Sequence, residues 1–230
     1  MNNNNAFSKE MQEGVYKAIF ERRDMRHFNG KPVEDAFMQR LFQAAHAAPS
    51  VGFMQPWRFI RIAKQEQRQR LHVIVEKETK ITAEKMGEKK DAFLKLKVYG
   101  ILDCSELVVV SLMAQRDKHI FGRRTLPEMD LASAACAIQN MWLAARAEGV
   151  GLGWVSLFEP AALRDVLNMP EEAMPIAILC IGHVDKFYDE PILIEEHWAQ
   201  RGNLEHYVMT DTWDEKKAGL AQQQWQDSKK

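Results

Sequence analysis

The sequence predicts an α+β fold in a single domain, on three observations. Helical and strand-like apolar periodicities are interspersed without strict βαβ alternation. Two runs, Glu106–Leu112 and Pro175–Gly182, are almost wholly apolar and short enough to be buried strands. No internal repeat or clean linker divides the 230 residues, whose 46% hydrophobic content suffices for one large core.

The start, Met1–Asn5, is polar, and residues 1–8 read as a frayed tail rather than a signal peptide. Met11, Val15, Ala18 and Ile19 then recur at helical spacing and predict a first helix ending near Glu21. Val33, Phe37, Leu41, Ala44 and Ala45 predict a second, stopped by Pro49, which lacks an N–H and disfavours helix in the residue before it.

The stretch Ala48–Phe59 follows. It offers the hydroxyl of Ser50, a small hinge at Gly52 and the amide of Gln55, and Pro56 leads into an alternating strand from Trp57 to Ile62. Two readings are open. It is a plain helix-to-strand connection, or a loop whose small and amide groups hydrogen-bond the polar edge of a flat heterocycle.

From Lys64 to Lys97 the chain is rich in charge. Its later part, about 76–100, is either a solvated helical face or a cover of low local stability. After the Glu106 strand, Thr125 and Glu128 form a capping box for a helix from about Leu126 to Ala147, with Pro127 in its first turn. That helix is apolar on much of its circumference, so it is either an intersubunit seam or a central core helix. A strand from Gly153 to Phe158, a short helix from Pro160 to Leu167 and the Pro175 strand complete the regular pattern. Beyond Lys186 comes a polar tail carrying Trp198, Tyr207 and Trp213, suited to lie on a second copy of the chain.

Composition narrows the function classes. With 31 basic against 32 acidic residues the net charge is −1, so no global field favours nucleic acid or an anionic membrane. No apolar run reaches the roughly 20 residues of a membrane span. The cysteines, Cys104, Cys136 and Cys180, are odd in number and far apart, which argues for buried thiols in a reducing cytoplasm rather than a disulfide framework. The histidines show no metal-ligand spacing, and no metal site is expected.

One cluster carries chemistry. If Arg22–Arg26 leave the first helix extended, Arg22, Asp24 and Arg26 share one side. Two guanidiniums flanking a carboxylate can grip a phosphorylated ligand; the alternative is a surface salt-bridge cluster of little energetic consequence.

RRDMR at 22–26, APSVGFMQPW at 48–57 and PEMDLASAACAIQNMWLAARAEGVGLGWVS at 127–156 together resemble the nitroreductase-like flavoprotein superfamily. Within it the likeness is to the flavin-destroying 5,6-dimethylbenzimidazole synthase family, and it runs from about Val15 to Gly182. Nitroreductases usually carry a serine or a similar small residue where Asp24 stands, and often an asparagine where Phe53 stands. The resemblance implies a central, mainly antiparallel sheet flanked by helices, with a lid at about 76–100 and a C-terminal extension at about 186–230. It implies an enzyme that uses O2 to fragment reduced FMN, consumed as substrate, into 5,6-dimethylbenzimidazole and erythrose 4-phosphate for the lower ligand of cobalamin. Asp24 and Ser156 are then the catalytic pair, and Arg22, Arg23, Arg26, Ser50 and Gln55 line the flavin. Arg201 matches the superfamily's late phosphate-holding residue.

A cytoplasmic homodimer with flavin sites shared between subunits is expected, supplied with FMNH2 by a separate flavin reductase. The rival readings are an NAD(P)H-dependent nitro- or flavin reductase that recycles FMN, and a non-catalytic flavin-binding protein. For Asp24, whose ordinary pKa is about 3.9, the arginines pull down and desolvation under a lid pushes up.

Overall fold

The computed structural model describes residues 5–227. Among them, β1 (Trp57–Arg61), β2 (Glu106–Leu112), β3 (Gly151–Val155) and β4 (Met174–Gly182) form one sheet in the order β1-β2-β4-β3. Every neighbouring pair is antiparallel, with Val108 opposite Leu179 and Leu152 opposite Ile181. The two almost wholly apolar runs are the two central strands. They are apolar because both of their faces are covered.

Around the sheet stand α1 (Lys9–Glu21), α2 (Asp35–His46), α3 (Gln65–Lys85), α4 (Lys90–Lys95), α5 (Met129–Ala147) and α6 (Pro160–Val166). Strand alternation sorts the core between them. Val108, Val110, Leu112, Ala177, Leu179 and Ile181 pack with residues of α2 and α5. Their neighbours Leu107, Val109, Ile178 and Cys180 pack with Leu71 and Val75 of α3 and Leu163 of α6. The architecture is α+β, an antiparallel sheet flanked by helices on both faces.

The chain divides into two compact units, Met1–Phe187 and Tyr188–Lys230. The second contains α7 (Ile192–Glu195) and α8 (Glu215–Asp227). Within it, Asp214 Oδ1 accepts from the amides of Lys216 and Lys217 at the start of α8, at 3.0 and 3.1 Å.

Several local expectations change. Ser8 is ordered as the N-cap of α1, accepting from the Met11 amide at 3.3 Å; residues 1–4 of the expected tail lie outside the described residues. No capping box forms at Thr125. The chain turns at Leu126–Met129, and α5 begins at Met129 without a side-chain cap. The helix buries a single stripe, including Ala134, Ala137, Ile138, Met141 and Ala145, against the sheet and α2. Leu131, Ala132 and Cys136 stay uncovered on its other side, so Cys136 is not a buried thiol, whereas Cys104 and Cys180 are. Helix α1 buries no residue, and Met11, Val15, Tyr16 and Phe20 are exposed.

Candidate functional site

Helix α1 stops at Arg22, whose backbone turns extended, and the next residues run alongside β3. Asp24 bridges Leu152 in parallel, and the Met25 amide donates to the Leu152 carbonyl at 3.0 Å. This close approach requires a glycine opposite. A Cβ at Gly153 would stand 2.1 Å from the Met25 carbonyl oxygen.

From the other side α5 holds the same segment. Trp142 Nε1 donates to the Arg23 carbonyl at 3.0 Å, and Arg146 Nε to that of Glu21 at 3.1 Å. The Arg22 guanidinium lies 4.6 Å over the Trp142 ring, a cation–π contact. Arg22 and Arg23 are both half-buried. The five residues that the sequence marked out are therefore clamped between a strand and a helix.

At the centre is the Asp24 carboxylate. Its Oδ1 accepts from the Trp154 amide at 2.8 Å, and its Oδ2 is ion-paired with Arg26 Nη2. The same nitrogen donates to the Trp154 carbonyl at 2.9 Å. Arg26 is the deeper partner, with 11% of its side chain exposed against 34% for Asp24. Burial pushes the Asp24 pKa above the ordinary value. It outweighs the opposing pull of Arg26, the Trp154 amide and Arg22.

Ser156 follows β3 directly, two residues beyond Trp154, and its side chain is exposed. Ser50 and Gln55 lie on a separate loop built around a 3₁₀ turn, Val51–Phe53. Ser50 Oγ accepts from the Gln55 amide at 3.0 Å, which leaves its hydroxyl proton to donate elsewhere. Gly52, Phe53 and Gln55 have φ of 51°, 53° and 48°. Two non-glycine residues in left-handed conformation mark a loop held by its surroundings. One support is Ser133 of α5, whose Oγ accepts from the Val51 amide at 3.0 Å. The other is the Phe121 carbonyl, 2.8 Å from where a Cβ at Gly52 would be. Gln55 also lines a cavity of about 560 Å³ with Phe42, His46, Trp57 and Phe59.

The arginine segment and this loop thus attach to opposite ends of α5. Ser133 and Trp142 are nine positions apart, about 14 Å along the helix.

The model of the family described as "Nitroreductase family" matches residues 19–183. The chain belongs to the nitroreductase family. It is 36% identical to the 5,6-dimethylbenzimidazole synthase of Rhodospirillum rubrum over 85% of this chain and 93% of that protein. To the Rhodobacter capsulatus protein of the same name it is 33% identical, over 84% of this chain and 95% of the relative. Among solved structures it is similar to a Desulfovibrio desulfuricans nitroreductase in complex with FMN, with TM-score 0.63, 21% identity, and 87% and 98% of the two chains covered.

Within this nitroreductase frame, sequence reasoning missed the residues that hold the site residues in place. Trp142 and Trp154 read only as core or strand residues, yet they position the arginine segment. A buried cluster also went unread. Asp130, 5% exposed, pairs with Arg116 at 2.9 Å and with Arg123 at 3.1 Å. It ties residues 116–123, Phe121 included, to the start of α5. The signal was present as Arg123 and Asp130 in a region otherwise apolar, but charge alone does not say what it faces.

The charge-rich segment at 76–100 comprises the second half of α3, a short 3₁₀ turn at Gly87–Lys89 and α4. It has more anchors than its charge implies, because Thr79, Ala83 and Phe93 are buried. Arg201 lies in the second unit, exposed, between α7 and the 3₁₀ turn Leu204–His206. Among the described residues no helix is long and apolar enough to cross a membrane.

Proposed function

We propose that this nitroreductase-family enzyme fragments reduced FMN with O2, releasing 5,6-dimethylbenzimidazole and erythrose 4-phosphate for the lower ligand of cobalamin. The observation that carries the reading is the Asp24 carboxylate, set in an arginine segment and held by the Trp154 amide with its pKa raised by burial. Nitroreductases that recycle their flavin usually carry a serine or a similar small residue there. The names of the two bacterial relatives point the same way.

The donor set suits FMN. Arg22, Arg23 and Arg26 supply guanidiniums for the phosphate and ring oxygens. Ser50 and Gln55 supply a hydroxyl and an amide for the polar edge of the ring. FMN, bound reduced, brings the carbon skeleton and the electrons that O2 accepts.

Asp24 then takes a proton from the first ribityl carbon, a poor acid in water, and general-base catalysis of this kind contributes typically 10²–10⁴-fold. A carboxylate of raised pKa is the stronger base. Ser156, exposed at the end of β3, offers a hydroxyl to the N5 side of the ring. The segment at 76–100 covers the site and keeps water out.

The enzyme works as a cytoplasmic homodimer fed by a flavin reductase. Two copies packed antiparallel through α5 bring the Ser50–Gln55 loop of one to the arginine segment of the other. The uncovered Leu131, Ala132 and Cys136 support that packing.

The test is to add FMNH2 to the purified full chain without oxygen, admit air and analyse products. Benzimidazole with erythrose 4-phosphate supports the proposal. Intact FMN with hydrogen peroxide overturns it in favour of a recycling reductase or a flavin-binding protein.

A further inference from the structure

Arg26, expected to line the flavin, also makes close contacts within the protein. One nitrogen, Nη2, holds both the Asp24 Oδ2 and the Trp154 carbonyl, while the Trp154 amide holds the other carboxylate oxygen. Asp24, Arg26 and the Trp154 peptide thus form a closed ring of hydrogen bonds. Within it both carboxylate oxygens are used, so the Asp24 side chain has a single orientation. Its support is rigid, because Gly153 and Met25 are in contact and Arg26 itself is 9% exposed.

We infer that Arg26 is the positioning residue of Asp24, fixing the carboxylate's orientation and supplying its counter-charge from below, whatever it also gives to flavin. This deepens the proposed function and rests on Asp24 acting as the base. Around Asp24 the segment supplies Arg22 and Arg26, and β3 supplies the Trp154 amide and carbonyl. Helix α5 supplies Arg146, which is engaged with Glu21. Of the two guanidiniums, Arg26 exerts the larger downward pull on the carboxyl. A base needs both properties. Without the guanidinium, burial would leave more of it protonated and useless for abstraction.

The experiment titrates Asp24 directly, in flavin-free full-length protein labelled with ¹³C at aspartate side chains. The resonance is assigned by its loss in Asp24→Asn. Arg26→Gln should raise the Asp24 midpoint by about 1–3 pH units, and Arg26→Lys, which keeps the charge, should leave it near the parent's. The acid limb of benzimidazole formation should move with that midpoint. An unmoved midpoint in Arg26→Gln overturns the inference, whatever the activity. A midpoint that moves while the limb stays put upholds Arg26 and sinks Asp24 as the base.

Should Arg26→Gln not fold, Arg26→Lys decides by rate. Lysine carries its charge on a shorter side chain, so its nitrogen does not reach Asp24 Oδ2 and the Trp154 carbonyl together as Arg26 Nη2 does, and turnover should fall about tenfold or more with FMN affinity retained. An unchanged rate, or a loss explained by affinity alone, overturns the inference.

Discussion

The Trp154 amide donates to Asp24 Oδ1 at 2.8 Å, joining residues 130 positions apart in sequence. This bond links the extended segment after α1 to the end of β3, two residues before Ser156. It places the carboxylate beside a strand whose next exposed side chain is a hydroxyl. The base and the hydroxyl of the proposed reaction are thus set by the end of β3 and the residue that follows it.

Gly153→Ala tests that arrangement without touching either group. The added methyl would meet the Met25 carbonyl at 2.1 Å, so the segment must move away from β3. We expect a destabilisation of about 1–3 kcal/mol by denaturant unfolding, with benzimidazole formation reduced more than FMN affinity. Parent-like stability and yield would show that the close approach is not needed.

The raised pKa of Asp24 has a definite sign. A base must be ionised, so product formation should fall as pH drops through a midpoint above about 3.9. For stability, the folded protein holds the Asp24 proton more tightly than the unfolded chain does. Its contribution is therefore fully present below the unfolded value and lost as pH rises through the folded one. Asp24→Asn, neutral throughout, should gain stability relative to the parent as pH rises across that window. Denaturant midpoints of the two proteins that keep a constant difference across the window contradict this.

Much of the frame was legible in the sequence because periodicity reports burial directly. The apolar runs of β2 and β4 read as buried strands and are the two central ones, and α1 ended where its spacing ended, at Glu21. The site was legible in part. Extended alternation correctly put Arg22, Asp24 and Arg26 together, since that needs only local geometry. What the segment packs on was not legible. Its contacts with Trp142, Gly153 and Trp154 span more than a hundred residues, and no local pattern encodes them. The failed capping box shows the converse. Thr125 and Glu128 had the right spacing, but the buried Asp130–Arg123 pair fixes the chain in a turn instead.

That pair gives a stability prediction. Asp130→Ala leaves Arg116 and Arg123 without their shared carboxylate in a mostly buried site. Removing one partner of such a cluster costs about 3–5 kcal/mol. Equilibrium unfolding should show a loss in that range, and a change under about 1 kcal/mol would place the cluster among surface pairs of little consequence.

The uncovered apolar faces of α1 and α5 predict a dimer. Met11, Val15, Tyr16 and Phe20 on one helix and Leu131 on the other are exposed in the single chain. Sedimentation at micromolar concentration should give twice the 26.5 kDa chain mass. A stable monomer would remove the shared-site arrangement.

The most direct measurement of the central claim is a single turnover of bound FMNH2 with O2 in the parent, Asp24→Asn and Ser156→Gly. Flavin affinity is measured separately for each. Asp24→Asn keeps the side chain's size and hydrogen bonding but not the base. It should bind FMNH2 and reoxidise it intact, with benzimidazole lower by about two orders of magnitude or more. Ser156→Gly should divert flux to plain oxidation in the same way. If Asp24→Asn forms benzimidazole at the parent's rate, the carboxylate is not the base and the account is wrong.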